Sequence, residues 1–230
     1  MNFSDWSYLY NWDGSQNVRA NLVYTPYISP DSKTLCMSFN RDKNYHSFIR
    51  ENELWTEELL YERFLREMKF HGVANTNNIP TLKIIDIDEI KRHIFIEWHG
   101  ADFYTQGFGV LQNWKEQWLL RIEQMWDAGI FKFSLHPNSW VVHDETLIPF
   151  NWFFCFDKNE SIIIKDFLIQ ISSERQEKME EFLKHLKLDL HTPYNSVELQ
   201  KLAFLSFKSN YPNELIADIV KKHEILRQNN

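Results

Sequence analysis

The polar side chains with chemistry to offer crowd into one stretch, Gly129–Phe153, which reads GIFKFSLHPNSWVVHDETLIPFNWF. Zinc chemistry can be weighed on residue type alone. His136 and His143 lie seven apart on a turn and a strand, with no Cys or second carboxylate at ligand spacing, so no zinc site is expected. Magnesium chemistry needs charge: Asn151 can offer a divalent ion its amide oxygen, yet one neutral oxygen is a poor substitute for carboxylates that neutralise the ion. Lys132 is expected to be a lone surface lysine. Hydroxyls, amides and imidazoles dominate the stretch.

Holding those side chains requires tight turns between short elements. Gly129 ends a helix that starts after Asn113, which makes a capping-box-like start with Glu116, and whose Trp118, Ile122, Met125 and Trp126 share a stripe. Ser134–Ser139 then reads as a tight turn, Trp140–Val142 as a strand, His143–Thr146 as a polar turn and Ile148–Phe150 as a second strand. Upstream, Asn17–Tyr27 and Lys33–Phe39 read as strands of a hairpin closed by Ser29-Pro30-Asp31-Ser32. Glu57–Phe70 carries Leu60, Phe64, Leu65 and Met68 at helical spacing, with Gly72 as a stop signal. Pro80 opens a second hairpin, Leu82–Ile87 and His93–Trp98, around the charged turn Asp88–Arg92. Gly100, Gly107 and Gly109 mark a looser connector, where the boundary between lobes is placed. Downstream, apolar runs flank Asp157–Glu160 as a hairpin over 152–168. Helices are expected from Ser173 onward, carrying Met179, Phe182, Leu183 and Leu186, and over Ser196–Leu226.

That order of elements resembles the protein-kinase-like fold, including aminoglycoside and choline kinases. The residues that carry the resemblance are Gly129 and Ile130 at a helix end, followed without a gap by Ser134-Leu135-His136-Pro137-Asn138-Ser139, against the family text H-x-D-L-[KH]-P-x-N. Leu135, His136 and Pro137 match. The resemblance implies an α+β, two-lobed fold. Residues 1–100 would form a small lobe of antiparallel sheet with one helix over 57–70. Residues 101–230 would form a mainly helical lobe with the catalytic-loop-like segment 129–153 and the hairpin 152–168.

On this alignment Ser134 stands at the catalytic Asp, Ser139 at the Asn, and Asn151-Trp152-Phe153 at the metal-binding triplet. Each change removes a formal charge or a ligand from a reaction that depends on positioning and charge. Asp13-Gly14-Ser15-Gln16 has one glycine where the phosphate-covering loop usually has several, and Ser38 lies near the expected strand Lys. Glu62 is the candidate for the helix Glu, with a solvated helix residue as its bland reading. Glu97-Trp98-His99-Gly100 sits where a hinge would meet an adenine, or is a simple strand end. A second alignment makes Asn151 the metal Asn and Asp166-Phe167-Leu168 the D-F-G text, with Thr146 at the catalytic Asp and Asp144 just upstream. It leaves Gly129-Ile130 and Leu135-His136-Pro137 unexplained.

Composition sets outer limits. The chain has 230 residues, 43% of them hydrophobic and 16% aromatic, enough for a sizeable core. Trp114, Trp118, Trp140 and Trp152 read as core aromatics rather than a stacking platform for bases. A net charge of -7 disfavours nucleic acid as a partner. Cys36 and Cys155, each among apolar residues, read as buried free thiols. No apolar run approaches the roughly 18 residues of a membrane span, and the N-terminus lacks the pattern of a signal peptide, so a cytoplasmic protein is expected.

Three functions from different classes follow. The leading one is a pseudokinase, a binding or regulatory module with a protein partner and ATP or another nucleotide bound without Mg²⁺. The others are an atypical active phosphotransferase using Asn151 and Asp166, and an α+β interaction protein with only architectural similarity to kinases.

Overall fold

The computed structural model describes residues 5–9, 23–40 and 56–163, with 184, 191–195, 199, 203 and 211 beyond them. The loop at Gly14, the first part (17–22) of the strand expected over Asn17–Tyr27, Asp166 and the body of the helices expected after Ser173 lie outside the described residues. The chain divides into two compact units, Met1–Leu65 with Lys83–Gly100 and Ile162–Pro193, and Arg66–Leu82 with Ala101–Ser161 and Tyr194–Asn230. Among the described residues no helix is long and apolar enough to cross a membrane.

The first unit is built on a five-stranded antiparallel sheet: β1 (Ser7–Tyr8), β2 (Thr25–Ile28), β3 (Thr34–Ser38), β4 (Ile84–Asp88) and β5 (His93–Glu97), in the order β1-β2-β3-β5-β4. β2 and β3 form the expected hairpin. Its turn is closed by the Asp31 carboxylate, which accepts from the Ser29 hydroxyl at 2.6 Å and the Lys33 N–H at 3.1 Å. Leu35, Cys36 and Met37 of the central strand are wholly buried, so both of its faces are covered. β4 and β5 share the sheet with β3, as the pattern of apolar residues requires. Over this sheet Phe39 meets Phe64 of the helix that follows, ring to ring at 5.9 Å.

That helix, α1 (Glu57–Thr76), is longer than the expected 57–70. Gly72 does not stop it. One glycine costs about 1 kcal/mol in a helix interior, less than burial of the flanking Phe70 and Ala74 returns. The end comes where Asn78 adopts a left-handed φ of 57° and the Ile79 N–H returns to the Ala74 carbonyl at 3.0 Å. Leu65, expected on the apolar stripe, is exposed, while Glu67 is buried.

In the second unit Asp102 caps α2 (Phe103–Gln106) through the Thr105 N–H. α3 (Trp114–Asp127) starts where expected without the capping box, because the Asn113 side chain accepts from Gln117 rather than from the helix backbone. Gly129, at φ 78°, turns the chain out of α3. It enters β6 (Ile130–Lys132), then β7 (Trp140–His143) and β8 (Thr146–Pro149), which form a hairpin, and β9 (Cys155–Asp157). β9 pairs with β6, Ile130 opposite Asp157, and Ser161–Ile163 forms a further strand, β10. Of the hairpin expected over 152–168, residues 164–168 lie outside the described residues; its first run pairs with a strand far upstream. Trp114, Trp118, Trp140 and Trp152 are buried core residues, and both cysteines are buried free thiols.

Candidate functional site

The site centres on the turn after β8. Asn151 is buried and left-handed, with φ 61° and ψ 64°, a conformation that Asn tolerates better than most residues. It redirects the chain from β8 into a single 3-10 turn, Trp152–Phe154.

Two buried charges hold this turn. Lys132, the last residue of β6, donates from Nζ to the Phe150 and Asn151 carbonyls, both at 2.7 Å, and lies 5.2 Å from the centre of the Trp152 ring. It is buried, which corrects the expectation of a surface lysine. Glu67 of α1 accepts the Phe153 N–H at 2.8 Å, with the Trp152 backbone N–H acting on the same carboxyl. A cation thus meets the carbonyl end of the turn and an anion its amide end. Each charge gives a hydrogen-bond partner to backbone groups of a turn whose residues are buried.

Burial pushes the Glu67 carboxyl up to about 7, against the opposing pull of Lys132 and the two N–H groups. Burial likewise pulls the Lys132 ammonium below its ordinary value, opposed by Cys155 and Glu67. The Cys155 thiol beside them is pushed up to about 12, again by burial, so it stays protonated and unreactive at neutral pH.

The preceding loop is tied to this turn by its backbone. The Phe150 N–H donates to the Ser139 carbonyl at 3.0 Å, and the Ser139 N–H donates to the His136 carbonyl at 2.8 Å. The Ser134 and Ser139 hydroxyls lie 2.9 Å apart in a mutual hydrogen bond, and Ser139 Oγ is 3.4 Å from Asn138 Oδ1. His136 uses Nδ1 to accept the Asn138 N–H at 3.1 Å, and its ring packs 5.3 Å from that of Tyr104. Tyr211 donates its hydroxyl to the Leu135 carbonyl. Ser134, Ser139 and the Asn151 turn are therefore brought together, and the β7–β8 hairpin falls between them as the first alignment expects. Asp144 and Thr146, which the second alignment needs, lie at the tip of that hairpin, with the Asp144 side chain 89% exposed.

The remaining candidates lie elsewhere. Glu62 is about half exposed, 3.9 Å from Arg63. Ser38 is buried at the end of β3. Glu97 is exposed, and two of the four amides of the expected hinge donate to backbone carbonyls, Glu97 to that of Lys83 and Trp98 to that of Lys33, both at 2.8 Å. Sequence reasoning missed Glu67, although a signal existed. With Leu60, Phe64, His71 and Ala74 it sits at three- and four-residue steps along one helix face, and a carboxylate on an apolar stripe needs a buried partner. Among the described residues no group of three or more His, Cys, Asp or Glu is placed to hold a metal ion.

No protein-family model matches this chain, and no curated protein matches it. Among solved structures it is similar to the Rio2 kinase-ADP/Mg²⁺-phosphoaspartate complex from Chaetomium thermophilum, at 9% identity and a TM-score of 0.45, over 87% of this chain and 67% of that chain.

Proposed function

We propose that this chain is a kinase-like module that binds and regulates without transferring phosphate, a pseudokinase. The observation that carries this reading is the Ser134–Ser139 hydroxyl pair, 2.9 Å apart, where the resemblance calls for a catalytic Asp and a metal-binding Asn. Two neutral hydroxyls that satisfy each other supply neither a general base, typically worth about 10² to 10⁴ in rate, nor a ligand that neutralises Mg²⁺. The two buried charges at this turn, Lys132 and Glu67, are engaged by backbone groups. A nucleotide held without Mg²⁺ and a protein partner are the ligands this reading assigns, in a cytoplasmic setting.

A thermal-shift titration with ATP and ADP, with and without Mg²⁺, tests it alongside an assay of ATP turnover. A ligand that binds only the folded state adds about 2.7 kcal/mol at 100 times its Kd. The expected outcome is a nucleotide shift that Mg²⁺ does not enlarge, and no turnover. Mg²⁺-dependent stabilisation that disappears in Asn151→Ala and Asp166→Ala would replace the proposal with an atypical phosphotransferase. No response to any nucleotide would leave an α+β interaction protein.

A further inference from the structure

The turn over Phe150–Phe153 is gripped at both ends by ionisable groups shut away from water, and its conformation is tied to their charge. We propose that Glu67 is a proton-operated latch on this turn: as a carboxylate it clasps the Phe153 N–H under the field of Lys132, and on taking up a proton it loosens that clasp.

The geometry favours control by this one group. A carboxylate accepts an N–H in a bond roughly twice as strong as a neutral one, and no solvent reaches the site to replace a weakened partner. The groups that act on Glu67 come from every element packed around it. β6 supplies the Lys132 ammonium and β9 the Cys155 thiol, neutral at ordinary pH. On α1 itself the neighbouring Arg66 is engaged by Glu160 at 2.6 Å and by the Cys155 carbonyl at 3.1 Å. One turn to either side on the same helix, Arg63 lies 3.9 Å from Glu62 and the His71 ring meets the Leu82 carbonyl at 2.7 Å; among the described residues Lys132 is the cation that acts on Glu67. When Glu67 gains its proton, Lys132 loses its counter-charge in the same buried space, so the two groups titrate as a coupled pair. Burial keeps the Glu67 carboxyl titrating at about 7, which places the change within ordinary physiological conditions. The latch needs no nucleotide and stands independently of the reading as a pseudokinase.

Amide hydrogen exchange on the full, ligand-free chain between about pH 5.5 and 8.5 tests it. The reporter is the Phe153 N–H; the reference is the Leu147 N–H in the same unit, bonded to the neutral Gln117 Oε1 at 2.8 Å. After correction for intrinsic exchange, Phe153 protection should rise about five- to tenfold relative to Leu147 as pH passes through 7. In Glu67→Gln it should stay at its low-pH level throughout. Parallel pH courses of the two amides in the unmodified protein overturn the proposal without need of a variant. A rise that persists in Glu67→Gln overturns it as well.

Discussion

Lys132 shows how far a single side chain can be from its bland reading. Within the text Phe131-Lys132-Phe133 the lysine lies among apolar neighbours, and the strand buries all three residues of β6. Its ammonium is stabilised there by two carbonyls and by the field of Glu67. Replacement by Met keeps the apolar stem but takes the ammonium away from the Phe150 and Asn151 carbonyls and from the field of Glu67. Breaking a buried pair from one side costs about 3–5 kcal/mol. In urea unfolding Lys132→Met should fall in that range, and the double variant with Glu67→Gln should cost less than the sum of the singles by about 1–3 kcal/mol. Strict additivity would mean that the two groups do not share one site. The neutral residues of the site were legible, because the text around Leu135-His136-Pro137 aligns them. The charged ones were not: the 3.6-residue period places Glu67 inside, but nothing local says that Lys132, sixty-five positions on, is its partner.

Among the elements, the β7–β8 hairpin is closed by two residues that suit its turn poorly. Asp144 and Glu145 have φ of 45° and 57°, the pair of left-handed residues of a tight two-residue hairpin turn, where Asn-Gly is favoured. Glu145 takes part through its backbone, its carbonyl accepting from Gln117 Nε2 at 2.8 Å, and that bond survives any side-chain change. Glu145→Gly relieves about 1 kcal/mol or more of left-handed strain and costs part of it back in unfolded-chain entropy. The expected net effect is a gain of about 0.5 kcal/mol, read from the urea midpoint; a loss would show that the Glu145 side chain contributes more than its backbone strain costs. The hairpin itself, β2–β3, β4–β5 and the starts of α1 and α3 were all readable, since each depends on apolar period and on turn residues a few positions away. What local text does not carry is the partner at a distance. Cys155–Asp157 is as apolar as a hairpin strand should be, yet it pairs with Ile130–Lys132, because that pairing brings Lys132 to the Asn151 turn while keeping Phe131 and Phe156 buried.

For the molecule as a whole, the buried groups predict an unusual dependence of stability on pH. Glu67 and His71 belong to the same unit and act with opposite sign. Glu67 is raised from an ordinary 4.5 to about 7, so the folded state holds its proton more tightly than the unfolded chain does. The stability this gives is fully present below about 4.5 and is lost as pH rises through about 7, on the order of 3 kcal/mol in all. His71 is pulled below its ordinary 6.5 by burial, only partly opposed by its contact with the Leu82 carbonyl at 2.7 Å. Its contribution is present above 6.5 and is lost as pH falls below that value. Below 6.5 the Glu67 slope is opposed by those of His71 and of His93, which burial also holds below 6.5, and as pH rises from 6.5 through about 7 the fall due to Glu67 remains. Urea unfolding at pH 6.5, 7 and 7.5 should therefore show a fall. Glu67→Gln should remove that fall and leave stability rising with pH below 6.5, whereas an unchanged profile would place the titrating group elsewhere. The sign separates a global cost from a local grip: over the pH range in which the charged Glu67 lowers the stability of the whole fold, the same charge tightens the turn at Asn151, so the two measurements must move in opposite directions.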